Sequence, residues 1–170
     1  MIDGFLIVDK TPGMTSFQVI KRLKKICSFK KIGYIGTLDR NAGGVLPVAL
    51  NEGVKLIPFL EDGEKRYTAK IVLGFTTDTF DLEGTVTSRT DPPVFDESTI
   101  REALSGFQGR IVQKIPLFSS KKIEGKPLYK LARKGITVEP PTKEVEVYGI
   151  TLLSYAHPYV DVDISCSKGT

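Results

Sequence analysis

The chain has 170 residues, of which 41% are hydrophobic, and a formal net charge of +4. That apolar share excludes a disordered chain, the length suits one domain over 1–170, and the mild basic excess fits an acidic or nucleic-acid partner without demanding one. No apolar run reaches the roughly 20 residues of a membrane helix, "MIDGFLIVDK" lacks the basic start of a signal peptide, and Cys27 and Cys166 form neither a disulfide nor a metal pattern, so a reducing cytoplasmic setting is expected.

In chain order, "GFLIVDK" reads as a short buried strand and "TPGMTS" as a turn. Thr15 or Ser16 can cap the next helix, and Thr15 with Gln18 makes a possible capping box. Phe17, Ile20, Leu23 and Ile26 then recur at helical spacing, with lysines on the other face. A glycine-rich loop follows, and "GVLPVAL" after it reads as a strand that Pro47 places at an edge or a bend. "EGVKLIPFLEDG" predicts a helix ending near Gly63, and "RYTAKIVLG" alternates as a strand does. "FTTDTFDLEGTVTSRTDPP" reads as a polar loop with some extended character. Asp96 can cap the helix in "ESTIREALSGF", where Ile100, Leu104 and Phe107 share a face. "GRIVQKI" is a further strand, and "KPLYKLARKG" a short helix with Gly135 at its C-cap. "EVEVYGITLLSYA" and "YVDVDISCSK" are strands, the second with Val160, Val162, Ile164 and Cys166 on one face and Asp161, Asp163, Ser165 and Ser167 on the other. Many strands and few helices, without regular βαβ repetition, predict an α+β fold with a mixed, mainly antiparallel sheet. The stop at "SCSKGT", directly after a strand, is expected to reflect a missing continuation.

The chemistry centres on one acid. In "KIGYIGTLDRNAGGVLPVAL", Gly33, Gly36, Gly43 and Gly44 surround Asp39. One reading is a carboxylate on backbone that a bulky substrate approaches closely, since glycine permits close approach and positive φ. The other is a turn aspartate bonding its own backbone. The spacing is not that of a phosphate-binding loop. Lys21, Arg22, Lys24, Lys25, Lys30 and Lys31 gather before the loop, and Lys121, Lys122, Lys126, Lys130, Arg133 and Lys134 form a second group. With Phe29, Tyr34, Phe118 and Tyr129 among them they suit an RNA backbone, and equally a solvated face. The single histidine, His157, lies beside a proline in an expected turn and reads as a surface residue. No His, Cys or Glu cluster has metal-ligand spacing.

The stretch "KIGYIGTLDRNAGGVLPVAL" resembles the aspartate-loop signature of the TruB family of pseudouridine synthases, roughly Gly-His-x-Gly-Thr-Leu-Asp-Pro-x-Ala-x-Gly-Val-Leu-Pro. "GFLIVDKTPGMTS", "KRYTAKIVLGFTTDTFDLEG", "QKIPLFSSKKIEGKPLYKLARKG" and "CSKGT" resemble further family motifs, in the right order along the chain. The Leu-Tyr-x-x-Ala-Arg-x-Gly run looks like the bacterial tRNA branch, while guide-RNA-dependent relatives share the aspartate loop. The resemblance implies isomerisation of uridine to pseudouridine at position 55 in the T arm of tRNA. It implies no cofactor, metal or membrane, and a monomer is expected. It gives Asp39 the place of the essential aspartate, which attacks the sugar, takes a sugar proton or adds to the base; each role requires the ionised carboxylate. Tyr67 matches a tyrosine that stacks on the target uracil, Asp81 an acid that orients an active-site arginine, and Lys10 a residue of the N-terminal motif with either a turn-supporting or a site role. Three departures stand out. Tyr34 and Ile35 replace a histidine that stacks within the T loop and a small polar residue. Arg40 and Asn41 replace a proline and an apolar residue, so that Arg40 is free to contact a phosphate or to pair with Asp39. The chain ends before the Tyr-Ile-Arg that would supply the arginine partner of Asp81, and before the family's C-terminal RNA-binding domain. The expected form is therefore a truncated catalytic domain. The alternatives are a non-catalytic tRNA-binding or remodelling module, or a member of the guide-RNA-dependent branch.

Overall fold

The computed structural model describes residues 2–115, 122–123, 126–127 and 141–170, which fall into two compact units, Met1–Gly63 and Glu64–Thr170. Every described strand pair is antiparallel, and helices are few, giving the α+β architecture that the pattern predicts.

In the first unit β1 (Gly4–Lys10), β3 (Gly44–Leu50) and β2 (Ile32–Tyr34) form a sheet in the order β1-β3-β2. The helix α1 (Ser16–Ile26) starts where expected, with Thr15 as N-cap and a complete capping box to Gln18. Its buried stripe is Ser16, Val19, Ile20 and half-buried Leu23, one position off the expected one, and Phe17 and Ile26 are exposed. Val19 and Ile20 pack with Leu46, Val48 and Leu50 of β3, each such burial contributing about 1.5–3 kcal/mol. The buried strand is therefore β3, whereas β1, expected to be buried, is an edge strand on which Phe5, Leu6 and Ile7 remain exposed. Pro47 is accommodated at the centre of the sheet rather than at an edge. Its carbonyl faces the β2 side and accepts from the N–H of Ile35, so its missing donor falls just past the end of β2. A 3₁₀ segment (Asn51–Leu56) and the short helix α2 (Ile57–Leu60) replace the single expected helix.

In the second unit β4 (Lys65–Val72), β11 (Tyr159–Cys166), β10 (Thr142–Ala156) and β7 (Gly109–Lys114) form a sheet in the order β4-β11-β10-β7. The alternation read in β11 holds: Val160, Val162 and Cys166 are buried and Ile164 is half-buried. The helix α3 (Glu97–Ser105), capped by Asp96, lays Ile100 and Leu104 against Leu152 of β10 and against Val160 and Val162. Phe107 follows the helix end and is exposed, so it does not share that face. The expected polar loop contains a hairpin, β5 (Phe75–Thr77) with β6 (Val86–Arg89). Lys126 and Pro127, expected to open a helix, pair as β9 with β8 (Lys122–Ile123). The rest of that expected helix, with Tyr129, Lys130, Arg133, Lys134 and Gly135, lies outside the described residues, as do Phe118 and Lys121. His157 is exposed in the turn between β10 and β11.

Candidate active site

The Asp39 turn is built by hydrogen bonds to the turn that joins β1 to α1. Asp39 opens a four-residue turn in which its carbonyl accepts from the N–H of Ala42 at 3.2 Å. The residue before it, Leu38, is held twice by one hydroxyl: Ser16 Oγ accepts from the Leu38 N–H at 3.0 Å and donates to the Leu38 carbonyl at 3.1 Å. The residue after it, Arg40, is held through its carbonyl, which accepts from the Gly13 N–H at 2.8 Å and from Lys10 Nζ at 3.4 Å. Lys10 is 1% exposed, and its ammonium also donates to the carbonyls of Met14 at 2.7 Å and Thr11 at 3.4 Å. An ammonium has three donors and no acceptor, so carbonyls are what make its burial tolerable. Lys10 thus supports the turn and presents no cation to solvent.

Both neighbours of Asp39 are fixed, yet its side chain is not. Asp39 is exposed, and its carboxylate makes no hydrogen bond or ion pair among the described residues. The two readings of the loop separate here: the turn uses the carbonyl of Asp39 and leaves its carboxylate to solvent. Arg40 stands at the second turn position, where proline is favoured because its φ is preset. Its exposed guanidinium forms no ion pair with Asp39. The glycines have local duties. Gly36 and Gly44 adopt φ of 73° and 117°, where a side chain is strained. A Cβ on Gly33 would lie 2.7 Å from Ile57 Cδ1, and one on Gly43 would lie 3.1 Å from Pro12 Cδ. Tyr34, at the end of β2, is half-buried and packs against the core of the first unit.

Tyr67 and Asp81 belong to the second unit. Tyr67 stands on β4 opposite Ile164, on the apolar face of the sheet, with 44% of its surface exposed. Asp81 lies between β5 and β6, where its Oδ1 accepts from the Thr79 hydroxyl at 2.6 Å and from the Glu83 N–H at 2.9 Å. Asp78 Oδ1 accepts from the Thr85 N–H at 2.8 Å, so two aspartates shape this loop. Between them Phe80 has a φ of 61° and is 71% exposed, an unusual backbone for a bulky residue. No sequence signal points to Phe80. Ser16 was legible only as a possible cap, because its partner is 22 residues away. Among the described residues no group of His, Cys, Asp and Glu is placed to hold a metal ion.

Residues 24–170 match the family model described as TruB family pseudouridylate synthase (N terminal domain). The chain belongs to the TruB family. It is 48% identical over 169 residues to the tRNA pseudouridine synthase B of Syntrophus aciditrophicus (strain SB), covering 99% of this chain and 54% of that protein. It is 44% identical over 169 residues to the protein of the same name from Methylococcus capsulatus, covering 75% of it. The chain thus spans about half of the first of these TruB relatives. Among solved structures, the fold is similar to one chain of a Cbf5-Nop10-Gar1 complex, with a TM-score of 0.70 and 28% identity over 98% of this chain and 40% of that one. It is also similar to a chain of an H/ACA RNP bound to a substrate RNA containing 2'-deoxyuridine, with a TM-score of 0.68 and 26% identity, covering 98% of this chain and 38% of that one.

Proposed function

We propose that this protein serves a tRNA pseudouridine synthase acting on uridine 55 of the T arm, with Asp39 as the essential carboxylate. The reaction breaks the bond between ribose C1' and uracil N1, turns the base and joins C1' to C5; the hydrogen at C5 leaves as a proton and N1 gains one. No atoms are lost or gained, and no oxidant or reductant is required. The observation that carries the reading is the Asp39 turn: Leu38 and Arg40 are clamped by Ser16, Gly13 and Lys10 while the carboxylate between them remains exposed. A reactive carboxylate needs this combination, since its position is set by backbone bonds and its oxygens stay available. The tRNA pseudouridine synthase B relatives, at 41–48% identity, support tRNA as the partner. The Cbf5 likeness, at 26–28% identity, supports a guide-RNA-dependent reading less well. The same reading assigns the ring of Tyr67 to the uracil and Asp81 to an arginine, and gives Tyr34 and Arg40 contacts to the RNA. It takes residues 1–170 as part of the catalytic domain, in a cytoplasmic monomer.

Release of tritium from tRNA labelled at uracil C5 tests it, because C5 must lose its hydrogen. Release by the chain would exclude a non-catalytic module, and Asp39→Asn should abolish that release while sparing tRNA binding. Turnover retained in Asp39→Asn would remove Asp39 from the chemistry.

A further inference from the structure

We infer that the solvent side of α1 and the segment after it form a cationic surface for the sugar–phosphate backbone of RNA, beyond the Asp39 turn itself. The inference rests on the RNA reading above and locates where the rest of the bound chain is held. From Lys10 to Leu38 the sequence contains no Asp or Glu, yet it carries Lys21, Arg22, Lys24, Lys25, Lys30 and Lys31. All six are exposed. The ion pairs among the described residues, such as Lys55 with Glu52 and Arg66 with Asp163, use none of them.

The bland explanation covers only part of this set. Lys24 and Lys25 lie in the last turn of α1, where cations favour the helix dipole. Lys21 and Arg22 stand earlier; the Lys21 ammonium lies 5.1 Å from the centroid of the exposed Phe17 ring, a local contact that leaves it open to solvent, and Lys21 is one turn from Lys25, a like-charge spacing that weakens a helix. Lys30 and Lys31 follow the helix on firmly held backbone. Asn51, 5% exposed, accepts from the N–H groups of Lys30 and Lys31 at 3.0 and 3.2 Å, and its own N–H reaches the Lys31 carbonyl at 2.8 Å. The cations are therefore displayed on an ordered scaffold and repel one another until a polyanion arrives.

RNA suits the surface better than a lipid bilayer. A membrane-surface helix needs a free apolar face, and α1 buries Val19 and Ile20 in the core. The helix also begins at the candidate site, because its first residue, Ser16, holds Leu38. Eleven residues at ~1.5 Å each run about 16 Å from that turn, enough to follow a nucleic-acid backbone past several phosphates.

The test compares the parent chain with the triple variant Lys21→Gln, Arg22→Gln, Lys25→Gln in binding an unmodified tRNA transcript across monovalent salt. Glutamine keeps helix propensity, and circular dichroism checks that the fold is retained. The triple variant should bind about tenfold more weakly at low salt, and the slope of log affinity against log salt should flatten by about 2–3. Lys55→Gln, whose ammonium pairs with Glu52, serves as control and should change neither. Equal affinity and slope in the parent and a folded triple variant would overturn the surface while leaving the RNA reading intact. A parent that binds no tRNA would remove the RNA reading and this inference with it. Binding of the parent to anionic phosphatidylglycerol vesicles, lost in the triple variant with tRNA binding unchanged, would assign the surface to a membrane and overturn the proposal.

Discussion

At the residue scale, Ser16 and Arg40 separate what holds Asp39 from what Asp39 does. Ser16 is 1% exposed, and its hydroxyl is both donor and acceptor to Leu38. Ser16→Ala leaves two backbone groups without that partner and should cost about 1–3 kcal/mol. If Asp39 acts as proposed, the same variant should lower kcat more than it weakens tRNA binding, because the carboxylate loses its fixed position. Urea denaturation and single-turnover tritium release measure the two effects; equal kcat in parent and variant would show that the clamp serves stability alone. Arg40→Pro tests the turn from the other side. The Arg40 carbonyl, which proline retains, takes the bonds from Gly13 and Lys10. Proline should therefore keep the turn and stabilise it by roughly 0.4–1 kcal/mol through the unfolded chain. A loss of stability in urea melts would mean that the backbone at position 40 differs from a turn that accepts proline.

At the scale of elements, both long helices begin where local chemistry says they begin, and each buries a face that only packing selects. The Thr15–Gln18 capping box and the Asp96 cap are short-range hydrogen-bond arrangements, legible before any tertiary structure exists. The N–H of Thr99, then the hydroxyl of Ser98, hold the Asp96 carboxyl below its ordinary range. A lowered folded value means that this stabilisation is complete above the unfolded value of 3.8 and fades as pH falls through the folded value. The stability advantage of the parent over Asp96→Asn should thus be largest near neutrality and shrink below pH about 4. An advantage unchanged between neutral and acid urea melts would contradict this. The burial of α1 was less legible. Phe17, Ile20, Leu23 and Ile26 satisfy helical spacing as well as Ser16, Val19, Ile20 and Leu23 do, and a small hydroxyl at the inner position carries no hydrophobic signal. The same limit applies to β1 and β3: both are apolar runs, and their order in the sheet decides which is buried.

At the scale of the whole molecule, the sequence alone determined the α+β class, most strand and helix positions, both helix caps and the ordered motifs of the TruB family. These follow from periodicity, capping chemistry and residue identity, which are local. Tertiary structure decided that Pro47 sits in a central strand, that Lys10 is buried under backbone carbonyls, and that the Asp39 turn is closed by a carbonyl while its carboxylate remains exposed. The physical reason is distance along the chain. Ser16 meets Leu38 across 22 residues and Lys10 meets Arg40 across 30, and hydrogen bonds over such separations leave no local pattern to read. Periodicity names the residues that share a face; only the neighbouring element determines which face excludes water.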